Sequence, residues 1–118
     1  MTSYADFGKE GEGLAADWLA EKGYEILHRN WRHGRYEVDI IACCEGVYHF
    51  IEVKARHSST FGHPEEKVSK SKLKNMMQGA VAWLCQFPGP KRVQYDVLAI
   101  TLRKNEGPEY FLIEDVYL

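Results

Sequence analysis

Two segments, "YEVDIIA" (36–42) and "HFIEVKA" (49–55), set charged side chains inside runs otherwise suited to burial. Successive side chains of a strand face opposite ways, and both segments are rich in the β-branched and aromatic residues that strands favour. The connection "CCEG" (43–46) is short and ends in Gly46. It predicts an antiparallel hairpin. Alternation then gives Glu37, Asp39 and Ile41 one face, and Val38, Ile40 and Ala42 the other. Glu52 and Lys54 likewise oppose Ile51, Val53 and Ala55. If the charged faces meet, Asp39 approaches Glu52 with Lys54 beside them. Charges rarely accept burial without a partner or a task. The alternative is a polar outer face held by cross-strand ion pairs.

The other elements follow from periodicity and breakers. Leu14, Ala15, Trp18 and Leu19 predict a first helix over 6–22, with Asp6 at its cap and Gly23 at its end. Residues 24–31 read as a strand. Gly62 and Pro64 mark 56–66 as a loop. A second helix is expected from about 65 to 86, burying Val68, Leu73, Met76, Met77, Ala80, Val81 and Leu84, and "FPGP" (87–90) ends it. Strands are expected at 92–102 and 109–117, around a turn at "KNEGP" (104–108). The order α-β-β-β-α-β-β predicts an α/β fold: one domain over 1–118 with a mixed central sheet flanked by helices.

With 45% hydrophobic and 27% charged residues, a buried core is affordable and disorder is not expected. No apolar run approaches the roughly 20 residues that span a bilayer, and the N-terminus lacks the pattern of a signal peptide. The expectation is a cytoplasmic protein without a membrane partner. Cys43, Cys44 and Cys85 make a poor disulfide framework and are read as reduced thiols.

The net charge of -2 is less informative than its distribution. "HRNWRHGR" (28–35) carries Arg29, Arg32 and Arg35 without an acid, and "KVSKSKLK" (67–74) carries Lys67, Lys70, Lys72 and Lys74 without one. Basic segments around an acidic pocket suit a phosphodiester ligand. A solvated loop and helix face are the alternative. Paired Asp and Glu carboxylates repel unless a cation or a shared proton relieves them. Their hard oxygens suit Mg²⁺, and a neighbouring lysine suits developing phosphate charge. Among other residues, Glu37 is either a supporting partner of the site or a rim group. Arg56 extends the Glu52 and Lys54 face toward a phosphate or a surface ion pair. Lys70, Lys72 and Lys74 lie near a substrate groove if the second helix flanks the site, although they cannot all face it. His57 and His63 lack zinc-ligand spacing. Asp96 is assigned a structural or rim role. Trp18, Trp31 and Trp83 are assigned to the core or an interface, with base stacking a minor option for Trp31.

Asp39 followed by Glu52, Val53 and Lys54 on the next strand resembles the PD-(D/E)xK nuclease superfamily. The wider text resembles the YraN-like family of small bacterial proteins. That family carries G-x-x-G-E, R-N-W-R, G-E-(I/V)-D-(L/I)-I-A, F-(I/V)-E-V-K-x-R and F-G-x-P-E-E-x-V. This chain has "GKEGEGLAADWL", "RNW", "RYEVDIIA", "FIEVKAR" and "FGHPEEKV" along almost its whole length. Tyr36 departs from the pattern, standing where the family usually has Gly.

The resemblance implies a restriction-endonuclease-like fold, similar in its core to archaeal Holliday-junction resolvases. By motif position it assigns Mg²⁺ or Mn²⁺ to Asp39, Glu52 and the Val53 carbonyl, with Glu12 completing the site and Lys54 as the catalytic lysine. Arg32, Arg56, Lys70 and Lys72 are the candidate substrate contacts. The expected function is metal-dependent endonucleolytic hydrolysis of DNA, including branched DNA. The alternative is a nucleic-acid-binding module that keeps the fold, turns over slowly or not at all, and acts with a protein partner. Cutting both strands of a junction favours a homodimer.

Overall fold

The computed structural model describes residues 4–57, 69–103 and 105–117, with side chains from residue 10 onward. Its elements are α1 (Tyr4–Glu21), β1 (Glu25–His33), β2 (Tyr36–Cys44), β3 (Val47–His57), α2 (Lys70–Gln86), β4 (Arg92–Leu102) and β5 (Glu109–Ile113). The order is the expected α-β-β-β-α-β-β. The strands form one five-stranded mixed sheet in sequence order. The β3–β4 pair alone is parallel, joined through α2; every other neighbouring pair is antiparallel. No described helix is long and apolar enough to cross a membrane.

Local chemistry explains the turns and caps. Gly34 (φ 60°) opens the two-residue turn from β1 to β2, and Glu45 (φ 50°) and Gly46 (φ 79°) make the turn from β2 to β3. Positive φ at these positions matches the right-handed twist of hairpin strands. At the end of α1, Gly23 adopts φ 97°. Its N–H donates to the Ala20 carbonyl at 3.1 Å while that of Tyr24 donates to Leu19 at 3.0 Å, a Schellman closure. Asp6 is not the cap, since α1 already starts at Tyr4. Helix α2 starts later than periodicity predicts. Ser69 is extended (ψ 154°) and its hydroxyl accepts from the Lys72 N–H at 3.1 Å, which sets the N-cap there. Most of the expected loop (58–66), the expected helical start at 65–68, and His63 and Lys67 lie outside the described residues.

The helices cover opposite faces of the sheet. On one side Ala15, Ala16 and Leu19 of α1 bury Ile40, Ala42, Ile51, Leu98 and Ile100. On the other Leu73, Met76, Ala80 and Trp83 of α2 bury Val38, Ile41, Phe50 and Val97. Trp83 is core, as expected, and Trp18 stacks on Tyr110 with centroids 5.1 Å apart. Val81, assigned to the buried side, is 52% exposed. Gly79 and Trp83 take the inner stripe instead. Asp96 is fully buried and structural: it accepts from Gln94 Nε2 at 2.9 Å and the Asp115 N–H at 3.0 Å, and pairs with His49 Nδ1 at 2.7 Å.

One close approach sets the height of α1 above the sheet. A Cβ at Gly11 would lie 2.6 Å from the Ala55 Cβ. Gly11→Ala gains about 1 kcal/mol of helix propensity but overpacks this contact at about 1–3 kcal/mol. We expect a net loss of stability in urea unfolding, with part of it recovered when Ala55→Gly is added. A stabilised Gly11→Ala protein would refute the close packing.

Candidate metal centre

The strict alternation expected of β2 fails at Asp39. Val38 and Ile41 pack on the α2 side while Ile40 and Ala42 pack on the α1 side. The facing strand is distorted at the same level while keeping its register. Asn30 of β1 lies between the partners of Val38 and Ile40 and takes φ 53°. Pairing of β2 with β3 runs from Cys44 opposite Val47 to Ile40 opposite Ile51 and stops there, while β3 continues along β4 to His57. The parting would orphan the Val53 N–H, and buried N–H groups need a partner. The Asp39 carboxylate supplies it, accepting from Val53 N at 2.8 Å.

The open gap lets acids from both faces converge. From α1, next to the tight Gly11 contact, Glu12 joins Glu37 and Asp39, with one carboxylate oxygen of each within 4.8 Å of the others. From β3, the Glu52 carboxylate stands beside that of Asp39, close enough for the charge of Asp39 to raise its pKa. Asp39 and Glu52 are each only 8% exposed. Glu37, weighed as a supporting or rim group, therefore stands inside the acid cluster. Its outer side faces Arg32, 3.5 Å away. Lys72 Nζ lies 3.6 Å from Glu52. A pocket of about 350 Å³ opens here, walled by the Glu37, Asp39 and Glu52 carboxylates and by Lys72.

A residue that sequence reasoning missed holds β2 in place. The Asn75 amide accepts from the Glu37 N–H at 3.0 Å and donates to the Arg35 carbonyl at 3.1 Å. It thus offers the edge of β2 one acceptor and one donor, as a neighbouring strand does, and the two partners fix its flip. The only trace in the sequence is an Asn among better helix formers. Gly79 assists, since a Cβ there would lie 3.0 Å from Val38.

The other expected site residues are spread more widely. Lys54 and Arg56 follow Glu52 at alternate positions of β3, so the strand directs them to the α2 side. Arg56 Nε is buried without a hydrogen-bond partner among the described residues. Lys70 is exposed at the start of α2. Neither Lys54, Arg56 nor Lys70 lines the acid pocket, whereas Lys72 does. The Val53 carbonyl leaves β3 on the same edge as its N–H, toward the gap.

The electrostatics are those of a partly compensated anion cluster. Burial raises the pKa of Glu12, and the charges of Asp39 and Glu37 raise it further against Arg29 and Arg32. Burial also raises Asp39, against the pull of the Val53 N–H. Glu52 is pushed up to about 8 by burial and then by Asp39, with Lys72 opposing. Hard oxygen donors in a pocket open to solvent fit Mg²⁺ or Mn²⁺. A divalent cation would offset both the burial and the repulsion that raise these values.

The shift of Glu52 sets a pH dependence. The folded state keeps a proton up to about 8 that the unfolded chain releases near 4.5. Stability is therefore fully present at low pH and falls as pH rises through that window. Thermal unfolding in EDTA should show the melting temperature dropping from pH 5.5 to 8.5, Glu52→Gln flattening the drop, and Mn²⁺ reducing it. Parallel profiles for wild type and Glu52→Gln would sink the assignment.

Residues 11–100 match the model of the uncharacterised protein family UPF0102. A UPF0102 protein of Chlorobium phaeobacteroides is 47% identical over 96 residues, covering 80% of this chain and 76% of its own. One of Phocaeicola vulgatus is 38% identical over 89% of this chain and 87% of its own. One of Chloroherpeton thalassium is 35% identical over 99% and 97%. The matched region holds α1 from Gly11 onward, the parted β2–β3 hairpin and all of α2, and by that match the chain belongs to the UPF0102 family.

Proposed function

We propose that this chain is a Mg²⁺- or Mn²⁺-dependent endonuclease that hydrolyses phosphodiester bonds in DNA. The observation that carries the reading is the convergence of Glu12, Glu37, Asp39 and Glu52 beside Lys72 at the gap between β2 and β3. The resemblance of Asp39 and Glu52-Val53-Lys54 to the PD-(D/E)xK nucleases supports it.

In this reading Asp39 and Glu52 hold the metal, the Val53 carbonyl adds a ligand, and Glu12 and Glu37 complete the acid set. A bound Mg²⁺ or Mn²⁺ supplies Lewis acidity, lowering the pKa of water and neutralising phosphate charge. The rest of the work falls to the protein. Asp39 keeps one oxygen on the Val53 N–H, so its carboxylate is oriented before any ligand arrives. Lys72, 3.6 Å from Glu52, would present its ammonium to a substrate phosphate at the mouth of the acid set. The resemblance gives Lys54 the role of assisting the attacking water, although Lys72 is the lysine that lines the acid pocket; Arg32, Arg56 and Lys70 bind the DNA backbone from outside that lining.

The test is cleavage of end-labelled duplex, single-stranded, flap and four-way-junction DNA in Mg²⁺ and Mn²⁺, with Asp39→Ala in parallel. We expect metal-dependent cutting that Asp39→Ala lowers by at least about a hundredfold, the scale on which lost metal ligands and catalytic donors act. Salt-sensitive binding without cutting would replace the enzyme with the non-catalytic binding module. Neither binding nor cutting would refute both.

A further inference from the structure

Beside the acid pocket lies a second depression of about 360 Å³. Ser71, Lys74, Asn75 and Gln78 wall one side. Their spacing of i, i+3, i+4 and i+7 makes them one stripe of α2. The tip of the β1–β2 hairpin, with Arg35 and Tyr36, walls the other. The two depressions share Arg35, Ser71 and Asn75, so they form one continuous groove.

The acids of this groove lie at one end. The first compartment sets Glu37, Asp39 and Glu52 beside Lys72 and the shared Arg35; the second holds Arg35 and Lys74 and no acid. Among the described residues neither of these cations is paired with a carboxylate. The Arg35 guanidinium instead lies over the Tyr36 ring, 5.4 Å from its centroid, while its carbonyl is tied to Asn75. The amide that positions Glu37 therefore also holds the hairpin tip, and the two compartments keep a fixed relation.

The second compartment offers nothing to a metal, having no anionic donor, and little to an apolar ligand. A lone inorganic anion would use the two cations and leave the ring and the Gln78 amide idle. A polynucleotide strand uses all of them. Its phosphates recur along the chain and suit Lys74 and Arg35, its bases stack on aromatic and guanidinium planes, and base edges hydrogen-bond to amides.

We propose that this compartment binds the nucleotide adjoining the phosphodiester held at the acid pocket. The phosphate of that nucleotide rests on Lys74 and Arg35, and its base stacks on Tyr36. The inference rests on the nuclease reading and adds a substrate-positioning site to it. Tyr36, the position where this chain departs from the YraN-like pattern, becomes a residue of substrate recognition.

The experiment is fluorescence anisotropy of a labelled single-stranded DNA 12-mer in Ca²⁺ over a salt series. Cutting of the same 12-mer in Mn²⁺ is measured alongside, and the melting temperature of each variant checks folding. Lys74→Ala should weaken binding and reduce the slope of log affinity against log salt by about 0.7 to 1, as for one lost phosphate contact. Tyr36→Ala should weaken binding about fivefold to a hundredfold with the slope unchanged, as for one lost stack, and Tyr36→Phe should retain affinity. Unchanged affinity and slope in both Lys74→Ala and Tyr36→Ala, with the wild type still binding and cutting, would overturn the subsite and leave the nuclease reading standing. A wild type that neither binds nor cuts the 12-mer or the wider DNA panel would overturn that reading and the subsite with it.

Discussion

The hydrogen bond from the Val53 N–H to the Asp39 carboxylate, 2.8 Å long, is the contact on which the rest of the site depends. It stands where β2 leaves β3, and it replaces a rung of the ladder with a side chain. Without it a part-buried N–H would go unpaired, at a cost of up to about 1–3 kcal/mol. With it the strands can separate, and a sheet that would otherwise divide its two faces acquires an opening. Glu12 arrives from the α1 side and Lys72 from the α2 side because of that opening.

Three supports hold the opening in shape. Gly11 lets α1 settle onto Ala55, so that Glu12 reaches the sheet. Asn75 binds the free edge of β2 at Arg35 and Glu37. The Ser69 cap begins α2 at Lys70, which places Lys72 and Asn75 on the first turns beside the gap. None of these contacts lowers the repulsion among the acids, and burial together with that repulsion raises the pKa values of Glu12, Asp39 and Glu52. The scaffold therefore holds like charges together against their own field, with Lys72 as partial relief. Such local conflict in an otherwise consistent fold is what makes this cluster the candidate site.

Alternation is a local property of the backbone, and so the strands, their order and the polar faces could be read from β-branched runs and breakers. Helix α1 and its Gly23 ending were equally legible, because the Schellman closure needs only a residue tolerant of positive φ. Reading failed where tertiary packing overrode a local rule. The face of β2 switches at Asp39, a change that no period-two pattern contains. Val81 lies outside and Gly79 inside because the helix must pass close to Val38. Asn75 carried no periodic signal, since its role lies in two backbone groups about 40 residues away.

By itself the sequence determined which chemistry is available: Asp39, Glu52 and Glu12 as oxygen donors, arginines and lysines free of neighbouring acids, and an α-β-β-β-α-β-β order to carry them. Side-chain type and local period are properties of short segments, and a sequence displays them directly. Only the tertiary structure decided that Glu37 joins Glu12 and Asp39, that Lys72 faces Glu52, and that a groove runs from the acids to Arg35 and Lys74. Those relations depend on where β2 parts from β3 and how near each helix packs. Distances between segments remote in the chain are set by the balance of all the contacts between them, which no single stretch of sequence contains.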